Sequence, residues 1–328
     1  MIRQVAKPTC VICGSGGLVV YEGMSDDLYA APGSWALTRC GNADCKLMWL
    51  DPAPHADDLG LLYRDYHTHS EVEDLRPSLR LARSLYRLIA DCVLSVFGLP
   101  AEKRRARLMF IGGEDPATLM DIGCGDGSFL REMADRGWQV SGVDFDAEAV
   151  ALSRARHHLE VRVGTVESLV ANGLKYDVVT ASHVIEHVPD PIEFLRKCGQ
   201  LLRPGGRIIL RTPNCESFGH RVYGRAWRGL EPPRHLQLFT LSAISACARK
   251  AGLKTASYCT TAADAEGILI VSHFLRRKGT FRLADLSKWD LLEWMMIAPI
   301  LAARAKFAWL RDKRCGEEIY AVFVNDPT

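Results

Sequence analysis

From residue 118 onward the chain alternates short apolar, β-branched runs with helix-like segments, and this alternation constrains the fold more than any other feature. The runs are TLMDIG, QVSGVDF, LEVRVG, YDVVTA and RIILRT; between and after them lie SFLREMADRG, AEAVALSRARHH, PIEFLRKCGQLL and LSAISACARKAG. Repeats of about twenty to thirty residues imply right-handed crossovers, hence an α/β fold with a parallel sheet covered by helices on both faces. A last run, EEIYAVFVN, reads as a strong closing strand.

The first repeat, TLMDIGCGDGSFL, is strand, glycine turn, helix. Gly123, Gly125 and Gly127 allow close backbone approach to a ligand, and the following helix start offers free N–H groups. Dinucleotide sites use a similar turn. Here, however, the spacing is G-x-G-x-G, with Asp121 before the glycines and a second acid, Asp144, ending the next run. An acid at that place can accept both hydroxyls of a ribose; the alternative is a helix N-cap.

In order and spacing, DIGCGDG, GVDFD, VGTVESL, YDVVTASHVIEHVPDP and LRPGGRIIL resemble the class I S-adenosylmethionine-dependent methyltransferases. The resemblance covers 118 to about 212 and continues more weakly beyond. It implies a Rossmann-like seven-stranded methyltransferase sheet with S-adenosyl-L-methionine as cofactor. Asp121, Gly123, Cys124, Gly125 and Gly127 would hold its methionine part and Asp144 its ribose. Phe145, Thr165 and Val166 would lie toward the adenine, with Ser182 at the end of the fourth strand completing the set. Many relatives carry Asp where Thr165 stands.

Residues 1–70 are rich in Gly, Pro and Cys at first and poor in periodicity. Cys10-x2-Cys13 and Cys40-x4-Cys45 can meet as four thiolates around a structural Zn²⁺, whose binding would supply folding free energy that so little core cannot. Eleven cysteines with no apolar leader suggest reduced thiols and a cytoplasmic protein. No apolar run reaches the ~20 residues of a membrane span; the nearest, WMMIAPILAA, contains Pro299. Net charge is +2, which does not ask for a polyanionic partner.

Residues 71–113 read as a helical linker or lid. Eight basic residues from Arg76 to Arg107 stand against Asp91 and Glu102, either as a solvated face or as an anion site. The core spans 114–261. An insertion, 262–314, mixes Trp289, Trp294 and Trp309 with Arg and Lys; it suits a lid, a homodimer helix or peripheral contact with the inner membrane face. Residues 315–328 hold the closing strand.

The stretch SHVIEHVPDP places His183, Glu186 and His187 just past the fourth strand, where this fold faces the cofactor's methyl group. If the turn is helical, the three side chains share one face. His235, in PPRHLQLFT, belongs to a loop closing over the same place, with Thr240 capping the next helix. His235 or His183 could act as general base. Alternatively, His183, Glu186, His187 and His235 could hold a second divalent metal, resembling the Glu-x-x-Glu-His pattern of small-RNA 2′-O-methyltransferases and an acidic pattern of quinone-pathway O-methyltransferases. Purely structural hydrogen bonding is the third alternative.

The loop 211–240 resembles that of methyltransferases acting on sugars, glycans and related metabolites. Sugar C-methyltransferases also carry an N-terminal zinc module, but with a long C-terminal domain not seen here. The expected reaction is therefore O-methylation of a sugar, glycan or other small-molecule hydroxyl, on a free, nucleotide-linked or lipid-linked acceptor. C-methylation of a nucleotide-linked sugar, RNA methylation with a zinc ribbon, and a non-catalytic scaffold are the alternatives; composition argues against nucleic acid.

Overall fold

The computed structural model describes residues 2–63 and 94–326. Most of the expected linker helix, including Arg76, Arg80, Arg83 and Arg87, lies outside the described residues. Lys103, Arg104, Arg105 and Arg107 sit on the helix Leu99–Arg107.

Seven strands form the main sheet, in the spatial order Leu253–Thr261, Glu318–Asn325, Leu202–Pro213, Tyr176–Ser182, Thr118–Ile122, Gln139–Asp144, Val161–Val163. All run parallel except Glu318–Asn325, which is antiparallel to both its neighbours. Each apolar run named above is a strand, and the helices Ser128–Ala134, Ala147–His157, Pro191–Gln200 and Leu241–Lys250 follow as the alternation requires. The sequence pattern did not pick out Leu253–Thr261. It lies at the sheet edge with Ser257 and Tyr258 in water, so the continuous apolar signature of a central strand is missing. Asp146 caps Ala147–His157 through Glu148 N, and Thr240 caps Leu241–Lys250 through Ala243 N.

The cysteine-rich segment is an antiparallel sheet of Gly17–Met24, Trp35–Cys40 and Met48–Leu50, completed by Gln237–Leu238 from the core. It has little interior of its own, as its composition suggests. One side buries Trp35, Leu37, Met48 and Leu50 with Trp227, Leu230, Leu236 and Leu238. The other buries Cys10, Ile12, Cys40, Cys45 and Leu47 with Phe239, Ile244 and Cys247. The module thus borrows half its core from the loop 214–240 and the helix after it.

That loop is anchored from behind by Glu317. The fully buried carboxylate accepts from Gly219 N (2.7 Å) and Trp227 Nε1 (3.2 Å). Burial nonetheless pushes its carboxyl up to about 7.

The insertion is two helices, Ala265–Lys278 and Lys288–Arg311, packed on each other. The second runs through Pro299 without a break. Its buried Lys306 pairs with Glu102, and Trp309 Nε1 donates to Thr260 O at 2.8 Å, tying it to the helix Leu99–Arg107 and to the sheet.

Two outcomes follow from this packing. Trp35→Ala should lower the stability of the whole chain by about 3–5 kcal/mol in denaturant melts, because Trp35 fills the shared interior; a merely tethered module would leave the core's transition in place. Glu317 has a folded pKa above its ordinary 4.5, so its contribution is fully present below that value and is lost as pH rises through about 7. Glu317→Gln should flatten this fall, measured as melting temperature from about pH 5 to about pH 8.

Candidate functional site

The glycine turn after Thr118–Ile122 has a shape that only glycine supplies. Gly123, Gly125 and Gly127 have φ of 74°, 52° and 76°. A Cβ on Gly123 would come within 2.5 Å of Val184 Cγ2, and one on Gly127 within 2.1 Å of Ser153 Oγ. The turn is pinned by Asp144, whose Oδ2 accepts from Gly125 N (2.8 Å) and Oδ1 from Asp146 N (2.9 Å). The N-cap of the next helix is Asp146, which leaves Asp144 at the strand end. Asp121 is buried and accepts from Thr180 Oγ1 (2.7 Å); burial raises its pKa to about 7.

The remaining cofactor-side residues divide into two groups. Phe145 is 57% exposed, and Ser182 is half-buried at its strand end. Cys124 and Val166 turn their side chains into the core, so only their backbone faces the turn region. Thr165 starts the helix Val166–Ala171 and makes no cap through its side chain. The glycine cradle with an acid at each strand end fits S-adenosylmethionine: the cradle would hold its methionine part and Asp144 its ribose.

At the end of Tyr176–Ser182 the chain does not run on as a helix. His183 has φ of 56°, and residues 185–187 form a tight turn closed by His187 N to Val184 O at 3.0 Å. The three side chains therefore do not share one face. His183 is turned between two carboxylates, with Nδ1 3.0 Å from Glu186 Oε1 and Nε2 3.0 Å from Glu318 Oε1. Burial opposes its charge, but the two carboxylates outweigh burial and hold its pKa at about 9. With both nitrogens engaged, it has no lone pair for a substrate proton. Arg211 braces Glu318 from the other side at 2.8 Å.

Glu186, His187 and His235 do converge. One ligating atom from each lies within 4.8 Å of the other two, so the expected four-residue set becomes a set of three without His183. Glu186 is wholly buried; burial would raise its pKa, but His183 outweighs burial and brings it to about 2, while Thr212 Oγ1 donates to its Oε2 at 3.0 Å. His235 Nδ1 donates to Gly229 O at 2.8 Å, which fixes the tautomer and leaves the Nε2 lone pair free. Burial pushes the His235 pKa down to about 4, so the ring is neutral near pH 7. His187 Nδ1 lies 3.0 Å from Arg234 O and 2.9 Å from Tyr63 Oη.

Tyr63 had no signal in spacing or motif. It ends the short helix Ala56–Tyr63, sets its ring edge-on to Phe145 (5.2 Å, 70°), and reaches His187 through its hydroxyl. It thereby joins the cofactor side to the histidines. Glu231 and Arg234 were also missed, although they flank His235 in EPPRH. Arg234 is buried, pairs with Asp26 at 2.7 Å and Glu231 at 3.0 Å, and lies over the Tyr29 ring. Burial would raise the Glu231 carboxyl, but Arg228 outweighs it and holds the group well below the ordinary range.

The four thiols of Cys10, Cys13, Cys40 and Cys45 also converge within 4.8 Å, with Sγ pairs at 3.7 Å (Cys10–Cys45) and 3.3 Å (Cys13–Cys40). Zn–S bonds of about 2.3 Å in a tetrahedron need edges of about 3.8 Å. The x4 spacing is absorbed by the turn in which Cys45 N and Lys46 N both donate to Asn42 O.

A family model described as a methyltransferase domain matches residues 94–258, about half of the chain. The ubiquinone biosynthesis O-methyltransferase of Serratia proteamaculans is 43% identical over 110 residues, 31% of this chain and 45% of that protein. That of Leptothrix cholodnii is 39% identical over 111 residues, 32% and 47% of the two chains. The match thus spans about half the length of these curated relatives. Among solved structures, a TehB-like S-adenosylmethionine-dependent methyltransferase from Corynebacterium glutamicum is 15% identical, covering 68% of this chain and 87% of that one with a TM-score of 0.40. Haemonchus contortus phosphoethanolamine N-methyltransferase 2, in complex with S-adenosyl-L-methionine, is 18% identical, covering 68% and 52% with a TM-score of 0.45. By the family match over its core, the chain belongs to the methyltransferase-domain family, the S-adenosylmethionine-dependent methyltransferases of Rossmann-like fold.

Proposed function

We propose that the protein methylates a hydroxyl of a small-molecule acceptor at the Glu186–His187–His235 cluster. One observation carries this reading: Tyr63 touches both Phe145, beside the cofactor-side Asp144, and His187. His187, with the His235 ring against it at 4.8 Å, therefore lies two side chains, Phe145 and Tyr63, from where the ribose would be held. S-adenosylmethionine supplies an electrophilic methyl group, so the protein's task is alignment and removal of one proton. Neutral His235, with Nε2 free, accepts the hydroxyl proton. Buried Glu231, with Oε2 3.9 Å from Nε2, and Glu186 then stabilise the resulting imidazolium by their charge. Tyr63 and the loop 214–240 keep water out.

The acceptor class expected from the loop is a sugar or glycan hydroxyl, while the relatives above are named for ubiquinone biosynthesis. Vicinal oxygens are common to sugar diols and catechol-type rings, and a hydroxyl with an oxygen neighbour is the chemistry we assign. A second reading shares the same residues. Two imidazoles and a carboxylate are a donor set for a divalent cation, which when bound would lower the pKa of a chelated hydroxyl. The four N-terminal cysteines, by contrast, fit a closed structural Zn²⁺ site.

The test combines calorimetry with labelled cofactor offered to quinone-type phenols, nucleotide sugars, lipid-linked glycans and RNA. Transfer to RNA alone, to carbon, or to nothing with no cofactor binding would each defeat the reading. Asp144→Asn should weaken cofactor binding measured by calorimetry. His235→Ala should cut turnover by about 10²–10⁴-fold while cofactor affinity stays; wild-type turnover would remove His235 as base.

Metal analysis should find about one Zn²⁺ per chain, reduced in Cys10→Ser together with stability. Chelator treatment followed by Mg²⁺, Mn²⁺ or Zn²⁺ singly decides the second reading. Full activity in chelator, with the fold intact, would exclude it.

A further inference from the structure

The helix Lys288–Arg311 has two faces of opposite character. Its inner face buries Ala298, Leu301, Ala302 and Ala305 in the cluster that also holds Phe274 and Trp227. On the other side, Trp289 is 79% exposed, Leu292 44%, Met296 58%, Ile300 58%, Phe307 50% and Leu310 51%. These residues recur at steps of three and four, apart from one seven-residue interval at Ala303, so they form a single stripe about 30 Å long. Monomeric soluble proteins rarely leave so many large apolar side chains together in water.

The margins of the stripe are cationic. Lys288 stands at one end, Arg304 along one side and Arg311 at the other end, all exposed. The acids of the helix are already used: Asp290 pairs with Arg277 and with Lys278 (2.6 Å), and Glu293 with Arg277 (2.6 Å) and His273 (2.7 Å). Asp312, just past the helix, faces Arg221 at 3.4 Å. Asp285 is an exposed acid on the turn before the helix.

We infer that this face docks on an anionic lipid bilayer. A second copy of the chain fits less well. Both ends of the stripe carry a cation, so parallel or antiparallel pairing would lay cation beside cation, with no free acid on the helix to answer them. A surface of anionic headgroups answers all of them, while the acyl boundary takes Trp289, Met296, Ile300 and Phe307. Among the described residues no helix is long and apolar enough to cross a membrane, and a one-sided helix of this kind lies in the interface plane. The inference goes beyond the proposed reaction and holds for a water-soluble acceptor as well as a lipid-linked one.

The experiment is density-gradient flotation of the full chain with vesicles of phosphatidylcholine alone or mixed with phosphatidylglycerol. The protein should float with the mixed vesicles at low salt, and much less with phosphatidylcholine alone or at high salt. The pair Trp289→Gln/Phe307→Gln should reduce partitioning by about ten-fold or more. The triple Lys288→Gln/Arg304→Gln/Arg311→Gln should remove the salt-sensitive part. All five positions are exposed, and unchanged cofactor binding by calorimetry confirms that each variant folds. Three results would overturn the inference: protein left at the bottom with anionic vesicles at low salt; equal flotation of the apolar pair; or, in sedimentation velocity, a dimer that dissolves in the apolar pair and does not float.

Discussion

The pairing of Gln237 and Leu238 with Trp49 and Met48 holds together parts of the chain that are far apart in sequence. Through it, the N-terminal sheet and the loop after the strand Leu202–Pro213 share one interior. Neither part has enough apolar surface alone. Together they enclose Trp35, Trp227 and Leu238, and the shared burial fixes where His235 points. The site therefore depends on a segment with no direct part in the chemistry.

Three buried carboxylates in this frame are held by cations. Glu186, Glu231 and Glu318 are all buried, and each meets a cation: His183, the pair Arg228 and Arg234, and Arg211. An unpaired charge at any of these places would cost several kcal/mol. The arrangement has a chemical consequence. His183, held between two carboxylates, stays charged, while His235, cut off from water by burial, stays neutral. Two histidines only a few side chains apart are thus given opposite protonation states, one by paired carboxylates and the other by burial, and only the neutral one can take a proton.

Local patterns made much of this legible. The strand and helix order from 118 to 250 follows from short apolar, β-branched runs alternating with helix-like segments, and the glycine cradle follows from residues whose backbone angles other side chains rarely adopt. The cysteine set was legible because thiolate spacing is a local property. The edge strand Leu253–Thr261 was not, since half of it faces water. Nor was the orientation of His183: spacing places it beside Glu186 and His187 on an ideal helix, but the chain turns through a left-handed residue there and sends the ring to Glu318.

The sequence by itself determined the class of fold, the cofactor turn with Asp121 and Asp144, the four-thiol cluster and the candidacy of His187, Glu186 and His235. Each rests on neighbours along the chain, where covalent geometry sets what is close. Only the tertiary structure decided that Tyr63 bridges Phe145 and His187, that Glu231 and Arg234 brace the loop, and that one face of the helix Lys288–Arg311 stays in water. Those relations join residues separated by long stretches of chain, and no local pattern encodes which distant side chain will meet another once the apolar surfaces are buried.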